Sequence, residues 1–159
     1  MLFRSCLPSK AILAECGRYP LHVNYYTRVI SYWLRLLGQQ DARYSKRCYN
    51  MLKHLDDNGD NNWTSSVRMM LFNYGFAYVW IYQTVGDCNM FLKIFKQRCR
   101  DLHYQQWSSD IAGSKYLYTY SFFKADIVHE AYIKVLPSIE LRRALTKFRC
   151  GIVNFNVQA

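Results

Sequence analysis

The chain has 159 residues, 51% of them hydrophobic, and a formal net charge of +10 at pH 7. This length fits one domain, and so large an apolar fraction excludes a chain that is disordered throughout. The excess of 21 Lys and Arg over 11 Asp and Glu favours an anionic partner, most often RNA or DNA. An acidic membrane surface, an acidic protein and a basic surface that binds nothing are the alternatives.

The six cysteines are widely and irregularly spaced, and no two of them form a CxxC pair. A zinc ribbon and a redox motif are therefore excluded. The first residues, MLFRSCLPSK, lack the apolar centre of a signal peptide, so we expect reduced thiols in an intracellular protein, cytoplasmic or nuclear. No run approaches the roughly 18 apolar residues of a membrane span, and we expect no membrane partner.

Turn signals divide the chain, and helical periodicity fills the segments between them. The first predicted helix covers residues 10–16 and ends at Gly17. The second covers residues 21–37, because Pro20 suits the first turn of a helix and Gly38 ends it. Its wide apolar stripe consists of Val29, Ile30, Trp33, Leu34 and Leu37.

A third helix is predicted over residues 42–55, followed by a polar loop over residues 56–62. Asn62 or Thr64 then caps a fourth helix, which Gly75 ends. The apolar face of the third helix is predicted to consist of Tyr44, Cys48, Met51, Leu52 and Leu55.

The apolar segment 76–85 is a short strand or a buried connector, since periodicity fits both. Asp87 caps the longest predicted helix, over residues 88–107, and residues 108–114 form a loop. The core face of this helix consists of Phe91, Phe95, Cys99 and Leu102. The Tyr-rich segment 115–123 is ambiguous between helix and strand.

Two further helices complete the pattern. The first begins at Asp126 and ends before Pro137, and Ser138 caps the second. The apolar side of the last helix consists of Leu141, Leu145, Phe148 and Ile152. Its opposite, solvated side carries Arg142, Arg143, Lys147 and Arg149.

Together the elements predict a mainly α fold, an irregular bundle of about six to seven helices. A short strand pair formed by residues 76–85 and 115–123 remains an alternative. We expect one helical domain or fragment over residues 1–159, with loose termini at residues 1–8 and 154–159.

The acidic loop after the third helix resembles a calcium-binding loop only in part. Asp56, Asn58 and Asp60 occupy alternating positions. An EF-hand also requires Gly at its sixth position and Glu at its twelfth, and these positions hold Asn61 and Val67. We therefore expect a solvated loop without calcium.

No other pattern predicts a catalytic, metal or cofactor site. Cys99 and His103 have the spacing of two helical metal ligands but lack the further partners of a zinc site, so we expect packing and surface roles. Glu15, Glu130 and Glu140 are isolated along the chain, and no Gly-rich phosphate loop, HExxH or GxSxG occurs. The chain is not expected to be an enzyme by itself, although an active site assembled in space is the alternative.

Two basic helical faces are the strongest functional feature of the sequence. Such faces can follow a phosphate backbone while neighbouring aromatic rings stack on bases, although ordinary solvated faces look alike. The first face consists of Lys93, Lys96 and Arg100 with Tyr104 just beyond. The second consists of Arg142, Arg143, Lys147 and Arg149. We predict that these eight residues bind RNA or DNA.

Seven short blocks occur in an order that resembles a known family. They are AECGRYPL at 14–21, SYW at 31–33, NW at 62–63, F-x6-R-x8-W at 91–107, YSFFK at 120–124, EAY at 130–132 and RRALTKFR at 142–149. This order is similar to the region that follows the reverse transcriptase domain in invertebrate non-LTR (LINE-type) retrotransposon polyproteins. The first and last blocks are the more specific ones. Residues of these blocks expected to matter for the structure are Gly17, Arg18, Tyr19, Pro20, Trp33, Trp63 and Trp107.

The resemblance implies a helical accessory segment that helps a reverse transcriptase, in cis or in trans, to hold template RNA or target DNA. The family's polymerase uses an Asp pair in a Tyr/Phe-x-Asp-Asp context. Here Asp56 and Asp57 follow His54 and Leu55, so that element is missing. A helical structural or protein-interaction module, or a degenerate retroelement remnant without activity, is the alternative.

Overall fold

Helices account for nearly all the described regular structure of this protein. The structure is a computed structural model, and it describes residues 9–114 and 117–151. The helices of this part of the chain are α1 (Ser9–Glu15), α2 (Leu21–Leu37), α3 (Tyr44–Asp57), α4 (Trp63–Asn73), α5 (Ala77–Tyr82), α6 (Cys88–Ala112), α7 (Tyr118–Phe123), α8 (Ala131–Val135) and α9 (Ile139–Arg149). An isolated antiparallel bridge joins Cys16 and His129, and these described residues contain no strand. The mainly α prediction is confirmed.

The predicted caps are present where the sequence placed them. The Asn62 side chain accepts a hydrogen bond from the Thr64 backbone N–H, and the Asp87 carboxylate accepts from the first turn of α6. Ser138 accepts from Glu140 at the start of α9. Each bond satisfies a donor that has no partner within its own helix, so each helix begins at a defined residue.

The strand-pair alternative is wrong, because both ambiguous segments contain helices. Gly75 has a left-handed φ of 84° and reverses the chain after α4, so that the Phe76 N–H donates to the Leu71 carbonyl at 2.7 Å. Helix α5 then buries Val79 and Trp80. Tertiary packing therefore overrides the β propensity of the segment 76–85. The described part of the second segment forms α7.

The chain divides into two compact units. We call Leu21–Arg100 the central unit, and Met1–Pro20 with Asp101–Ala159 the terminal unit. Helix α6 contributes residues 88–100 to the first and residues 101–112 to the second. The single-domain expectation stays a prediction, and the expected loose termini at 1–8 and 154–159 lie outside the described residues.

In the central unit, α2 packs against α3 and α4, and α4 packs against α5. Trp33 is fully buried, stacks on Trp80 with ring centroids 5.9 Å apart, and donates its indole N–H to the Tyr49 hydroxyl at 3.0 Å. This bond satisfies the one polar group of a buried indole. The core of the unit consists of Val23, Ile30, Trp33, Leu34, Leu36, Tyr49, Val67, Leu71, Phe76, Val79, Trp80, Phe91, Phe95 and Cys99.

The predicted apolar face of α3 is wrong in part. Tyr44, Cys48 and Met51 are exposed, whereas Tyr49 is buried. Tyr occurs on both sides of this helix, so composition alone does not show which side faces the core. The Tyr49 hydroxyl accepts a hydrogen bond from Trp33 and donates one to Gln83, and these bonds select the Tyr49 side.

The core of the terminal unit forms where α1, the second part of α6 and α7 meet. It consists of Ala11, Ala14, Trp107, Ile111, Leu117, Tyr120, Ile127 and Cys150, with Tyr19 and Tyr104 packed against it. Helix α6 continues to Ala112 instead of ending at Trp107, because Ile111 is also buried there. The predicted loop at 108–114 is therefore helical up to Ala112.

Among the helices described, none combines the length and the apolar character that a bilayer span requires.

Candidate nucleic-acid interface

The positive charge of the central unit is concentrated on two helices. The unit contains 11 Lys and Arg and 5 Asp and Glu. Six of the basic residues lie in α2 or in residues 88–100 of α6, where no acidic residue occurs: Arg28, Arg35, Lys93, Lys96, Arg98 and Arg100. The remaining five basic and five acidic residues balance. The whole net charge of +6 is thus carried by α2 and the first part of α6.

These two helices flank a groove of about 430 Å³ in the central unit. Four residues of α2 line the groove, and their spacing of three, one and three positions places them on one face of the helix. Helix α6 contributes residues one turn apart. The lining residues are Asn24, Thr27, Arg28 and Ser31 of α2 and Leu92 and Lys96 of α6. The guanidinium of Arg28, the ammonium of Lys96, the amide of Asn24 and the hydroxyl of Ser31 are donors of the kind that phosphate oxygens accept from. The groove, which we call the α2/α6 groove, therefore suits a phosphate.

The cations at this groove are not neutralised by the protein itself. Within the described residues, no carboxylate forms a salt bridge with Arg28, Arg35, Lys93 or Lys96. Elsewhere in the same unit the Arg68 guanidinium pairs with both Asp56 carboxylate oxygens at 2.9 Å, and Lys53 pairs with Asp57 at 2.7 Å. The α2/α6 groove is thus a local region of uncompensated positive potential.

The first predicted basic face is only partly continuous. Lys93 is exposed and Lys96 and Arg100 are half-buried, so the first two reach the surface beside the α2/α6 groove. Tyr104 lies in the terminal unit and packs on Trp107, and its hydroxyl donates to the Ala125 carbonyl at 2.9 Å. Burial raises the pKa of Tyr104. The structure therefore gives this ring a packing role.

The second predicted face is not uniformly solvated. Arg143 is exposed and Lys147 is half-buried, but the Arg142 side chain donates to the Leu136 carbonyl at 2.7 Å. Arg149 is only 9% exposed, so the expectation that it faces solvent is wrong. Of the apolar side predicted for this helix, Leu141 and Phe148 are about half exposed and Leu145 is half-buried, while Ile152 lies outside the described residues.

Arg149 lies in a network of buried charges in the terminal unit. Its guanidinium donates to Glu130 at 2.9 Å and to the Phe123 carbonyl at 2.9 Å, and it lies 3.6 Å from Glu15. Glu15 also accepts a hydrogen bond from the Tyr132 hydroxyl at 2.6 Å. A guanidinium held in this way is not available to a phosphate.

Two of the three glutamates that are isolated along the chain, Glu15 and Glu130, therefore meet around one arginine. Lys124, which is also buried, adds an ion pair to Glu130. Burial alone would raise the pKa of Glu130, but hydrogen bonds from Arg149 and Lys124 outweigh it and hold that pKa below its ordinary value. Each carboxylate of this network therefore has a cationic or phenolic partner.

The seven residues singled out by the family resemblance occupy mostly structural positions. Trp33 and Trp107 are buried, Trp63 is half-buried with its ring 5.7 Å from that of Tyr32, and Tyr19 has its ring 5.8 Å from that of His103. Arg18 is exposed, and Pro20 directly precedes α2.

Gly17 has a left-handed φ of 60°, and a Cβ on it would lie 2.4 Å from the His129 backbone nitrogen. The turn after α1 and the segment before α8 therefore approach each other more closely than a residue with a Cβ at position 17 would permit.

The possible metal pair behaves as packing residues. Cys99 is buried, and burial raises its pKa to about 11, which disfavours the thiolate that zinc requires. In the part of the chain that the structure describes, no three His, Cys, Asp or Glu side chains gather in a metal-binding arrangement.

Sequence reasoning missed the contribution of α2 to the candidate interface. The signal was present: polar residues recur at 24, 27, 28 and 31, and no acidic residue occurs in the helix. It was obscured because the buried stripe of the same helix dominates its pattern.

No protein-family model, curated protein or solved structure matches the chain.

Proposed function

We propose that this chain is a non-catalytic, helical nucleic-acid-binding segment that holds a phosphate backbone in the α2/α6 groove. The observation that carries the proposal is the charge distribution of the central unit. Its net +6 lies wholly on the two helices that flank the groove, and no salt bridge with a carboxylate of the described residues neutralises Arg28 or Lys96 at its lining.

The chemistry of the groove fits phosphodiester groups. Arg28 and Lys96 provide charge from opposite walls, while Asn24 and Ser31 provide neutral donors along one wall. The Thr27 hydroxyl on the same wall donates to the Val23 carbonyl at 2.7 Å. Lysine and arginine contacts release the counterions condensed on a nucleic acid, and this release supplies most of the sequence-independent affinity. If about four phosphates are contacted, affinity falls roughly 100-fold between 50 and 200 mM salt.

The proposal is tested by fluorescence anisotropy of labelled RNA and DNA at several salt concentrations. The double variant Arg28→Glu/Lys96→Glu should weaken binding at least about tenfold, because two phosphate contacts become repulsive. Arg43→Glu/Arg47→Glu is the matched control, since both arginines are exposed at the start of α3 in the same unit and the net charge changes equally. Absence of binding by the unmodified chain at low salt, or equal losses in both variants, would contradict the proposal.

We also propose that the segment works beside a reverse transcriptase of the non-LTR retrotransposon type, in cis or in trans, inside the cell. The resemblance of the ordered sequence blocks supports this. Glu15 and Arg149, from the first and last blocks, lie 3.6 Å apart in the same network, as expected of blocks that share one fold. An upstream reading frame that encodes a polymerase is the expected observation, and a neighbourhood without polymerase sequence would count against this origin.

A second candidate function, a protein-interaction module, rests on the exposed apolar side of α9. Leu141 and Phe148 are seven positions apart and therefore lie on one side of the helix, and they are 53% and 48% exposed. Next to them, Phe123, Leu145 and Phe148 line an open groove of about 420 Å³. Exposed apolar patches of this kind are typical of interaction sites. Affinity capture from nuclease-treated lysate should recover a protein with the unmodified chain and lose it with Leu141→Ser/Phe148→Ser.

A further inference from the structure

Beside the α2/α6 groove, α2 presents a second face on which aromatic and cationic residues alternate. We call it the α2 outer face, and it consists of Leu21, Tyr25, Arg28, Tyr32 and Arg35. The spacing of four, three, four and three residues places all five on one side of a helix. Tyr25 is 57% exposed and Tyr32 is 45% exposed, so both rings reach solvent. Arg28 belongs to this face and to the α2/α6 groove.

Each exposed ring is supported by a second aromatic side chain. The Tyr32 ring meets Trp63 edge-on with centroids 5.7 Å apart, and the Arg35 guanidinium lies 5.6 Å from its centroid. The Tyr25 ring lies 5.7 Å from that of Tyr26, which contacts Tyr74 in turn. A ring held by such contacts loses little side-chain freedom when a planar ligand stacks on it.

The dimensions of this face match a nucleic-acid chain with accessible bases. Seven residues separate Tyr25 from Tyr32 and also Arg28 from Arg35, which corresponds to about 10.5 Å along a helix. Stacked bases are about 3.4 Å apart, so about three nucleotides of a stacked strand, and fewer of an extended one, cover this distance. Helix α2 carries no acidic residue that would repel the backbone.

We propose that the α2 outer face binds single-stranded nucleic acid by stacking bases on Tyr25 and Tyr32 while Arg28 and the α2/α6 groove hold the backbone. This inference rests on the proposed function and adds the form of the nucleic acid to it. A duplex keeps its base faces stacked inside and offers tyrosine rings nothing to stack on, whereas every base of a single strand has a free π-face. Preference for single strands is therefore the expected signature.

The test compares unstructured single-stranded oligonucleotides with duplexes of equal length, using the full chain. Tyr25→Ala/Tyr32→Ala should weaken single-strand binding about 10- to 100-fold and leave duplex binding within about twofold, because stacking on each ring contributes several-fold to affinity. Tyr25→Phe/Tyr32→Phe keeps both rings and should retain affinity. Tyr78→Ala/Tyr82→Ala is the matched control, since it removes two exposed tyrosines from α5 of the same unit. Circular dichroism shows whether each variant is folded.

The outcomes separate the two proposals. If the unmodified chain binds both forms equally, or if the alanine variant loses both equally, the single-strand inference is overturned while Arg28→Glu/Lys96→Glu still reports on the groove. If the unmodified chain binds neither form at low salt, the proposed function fails and the inference fails with it. Loss confined to single strands, with retention by the phenylalanine variant, supports both.

Discussion

At the scale of single residues, Arg149 is held between the carboxylates of Glu15 and Glu130 in a largely buried position. Its guanidinium also lies 5.4 Å from the Tyr132 ring centroid and 6.0 Å from that of Phe123. Burying charges costs desolvation energy, which good geometry and extra hydrogen bonds can offset. Removing Arg149 takes a cation away from the buried carboxylate of Glu15, which keeps its hydrogen bond from Tyr132, and leaves Glu130 paired with Lys124.

Replacing Arg149 by methionine should therefore lower the free energy of unfolding by about 3 kcal/mol or more. Urea unfolding followed by circular dichroism measures the change. Arg143→Met is the control, because Arg143 lies on the same helix but is exposed, and its loss should cost within about 0.5 kcal/mol. Similar values for the two variants would show that the buried network contributes little to stability.

The environment of Arg149 could not be predicted from α9 alone. Helical spacing grouped it with Arg142, Arg143 and Lys147, and all four residues do lie in α9. Its burial depends on Glu15, which is 134 positions away, and on Glu130 across a turn. Contacts between positions so distant leave no periodic signal in a single sequence.

At the scale of helices and turns, the bridge between Cys16 and His129 joins the end of α1 to the segment before α8. The Glu130 N–H donates to the Glu15 carbonyl at 2.9 Å, which brings both carboxylate-bearing residues to the same place. Gly17 permits this approach because it has no Cβ and adopts a left-handed φ. The bridge and the buried ion network therefore depend on one glycine.

Gly17→Ala should destabilise the protein by more than about 2 kcal/mol, since the new Cβ meets backbone atoms that cannot move aside easily. Gly59→Ala is the control, because Gly59 also has a positive φ, 98°, but a Cβ there meets nothing within 4 Å. That variant should cost only the backbone strain, about 1 kcal/mol. Thermal unfolding of both variants gives the comparison, and equal costs would contradict a steric role for Gly17.

The helices differ in how well their sequences predict them. The bounds of α2 are predicted correctly because Pro20 and Gly38 delimit an unambiguous apolar stripe. Helices α5 and α7 have six residues each, fewer than two turns, so neither shows a full period that would separate helix from strand. The basic residues of α6 were identified, but their partner wall on α2 was not, because the groove exists only once the two helices are folded.

At the scale of the whole molecule, the net charge of +10 is distributed unevenly. The central unit carries +6, all of it on α2 and the first part of α6, and the terminal unit carries +4, with 10 basic and 6 acidic residues. In the terminal unit Lys10, Lys124 and Arg149 pair with carboxylates. In the central unit Lys53 and Arg68 also pair with carboxylates, but the excess charge of that unit lies on α2 and the first part of α6. Because paired cations release no counterions from a bound strand, we expect the central unit to bind polyanions more strongly than the terminal unit.

Two double charge reversals should show whether nucleic acid binds at the α2/α6 groove or at the basic side of α9. Arg28→Glu/Lys96→Glu and Arg143→Glu/Lys147→Glu both lower the net charge from +10 to +6, so long-range attraction changes equally. We expect the first to reduce the slope of log affinity against log salt by about 1.4–1.8, because roughly 0.7–0.9 is lost per phosphate contact and two contacts are removed. The second should change affinity less than about threefold and leave the slope nearly constant. A larger effect of the second variant would indicate that the binding site lies in the terminal unit. Arg143 and Lys147 of that unit were also predicted from the sequence to bind nucleic acid.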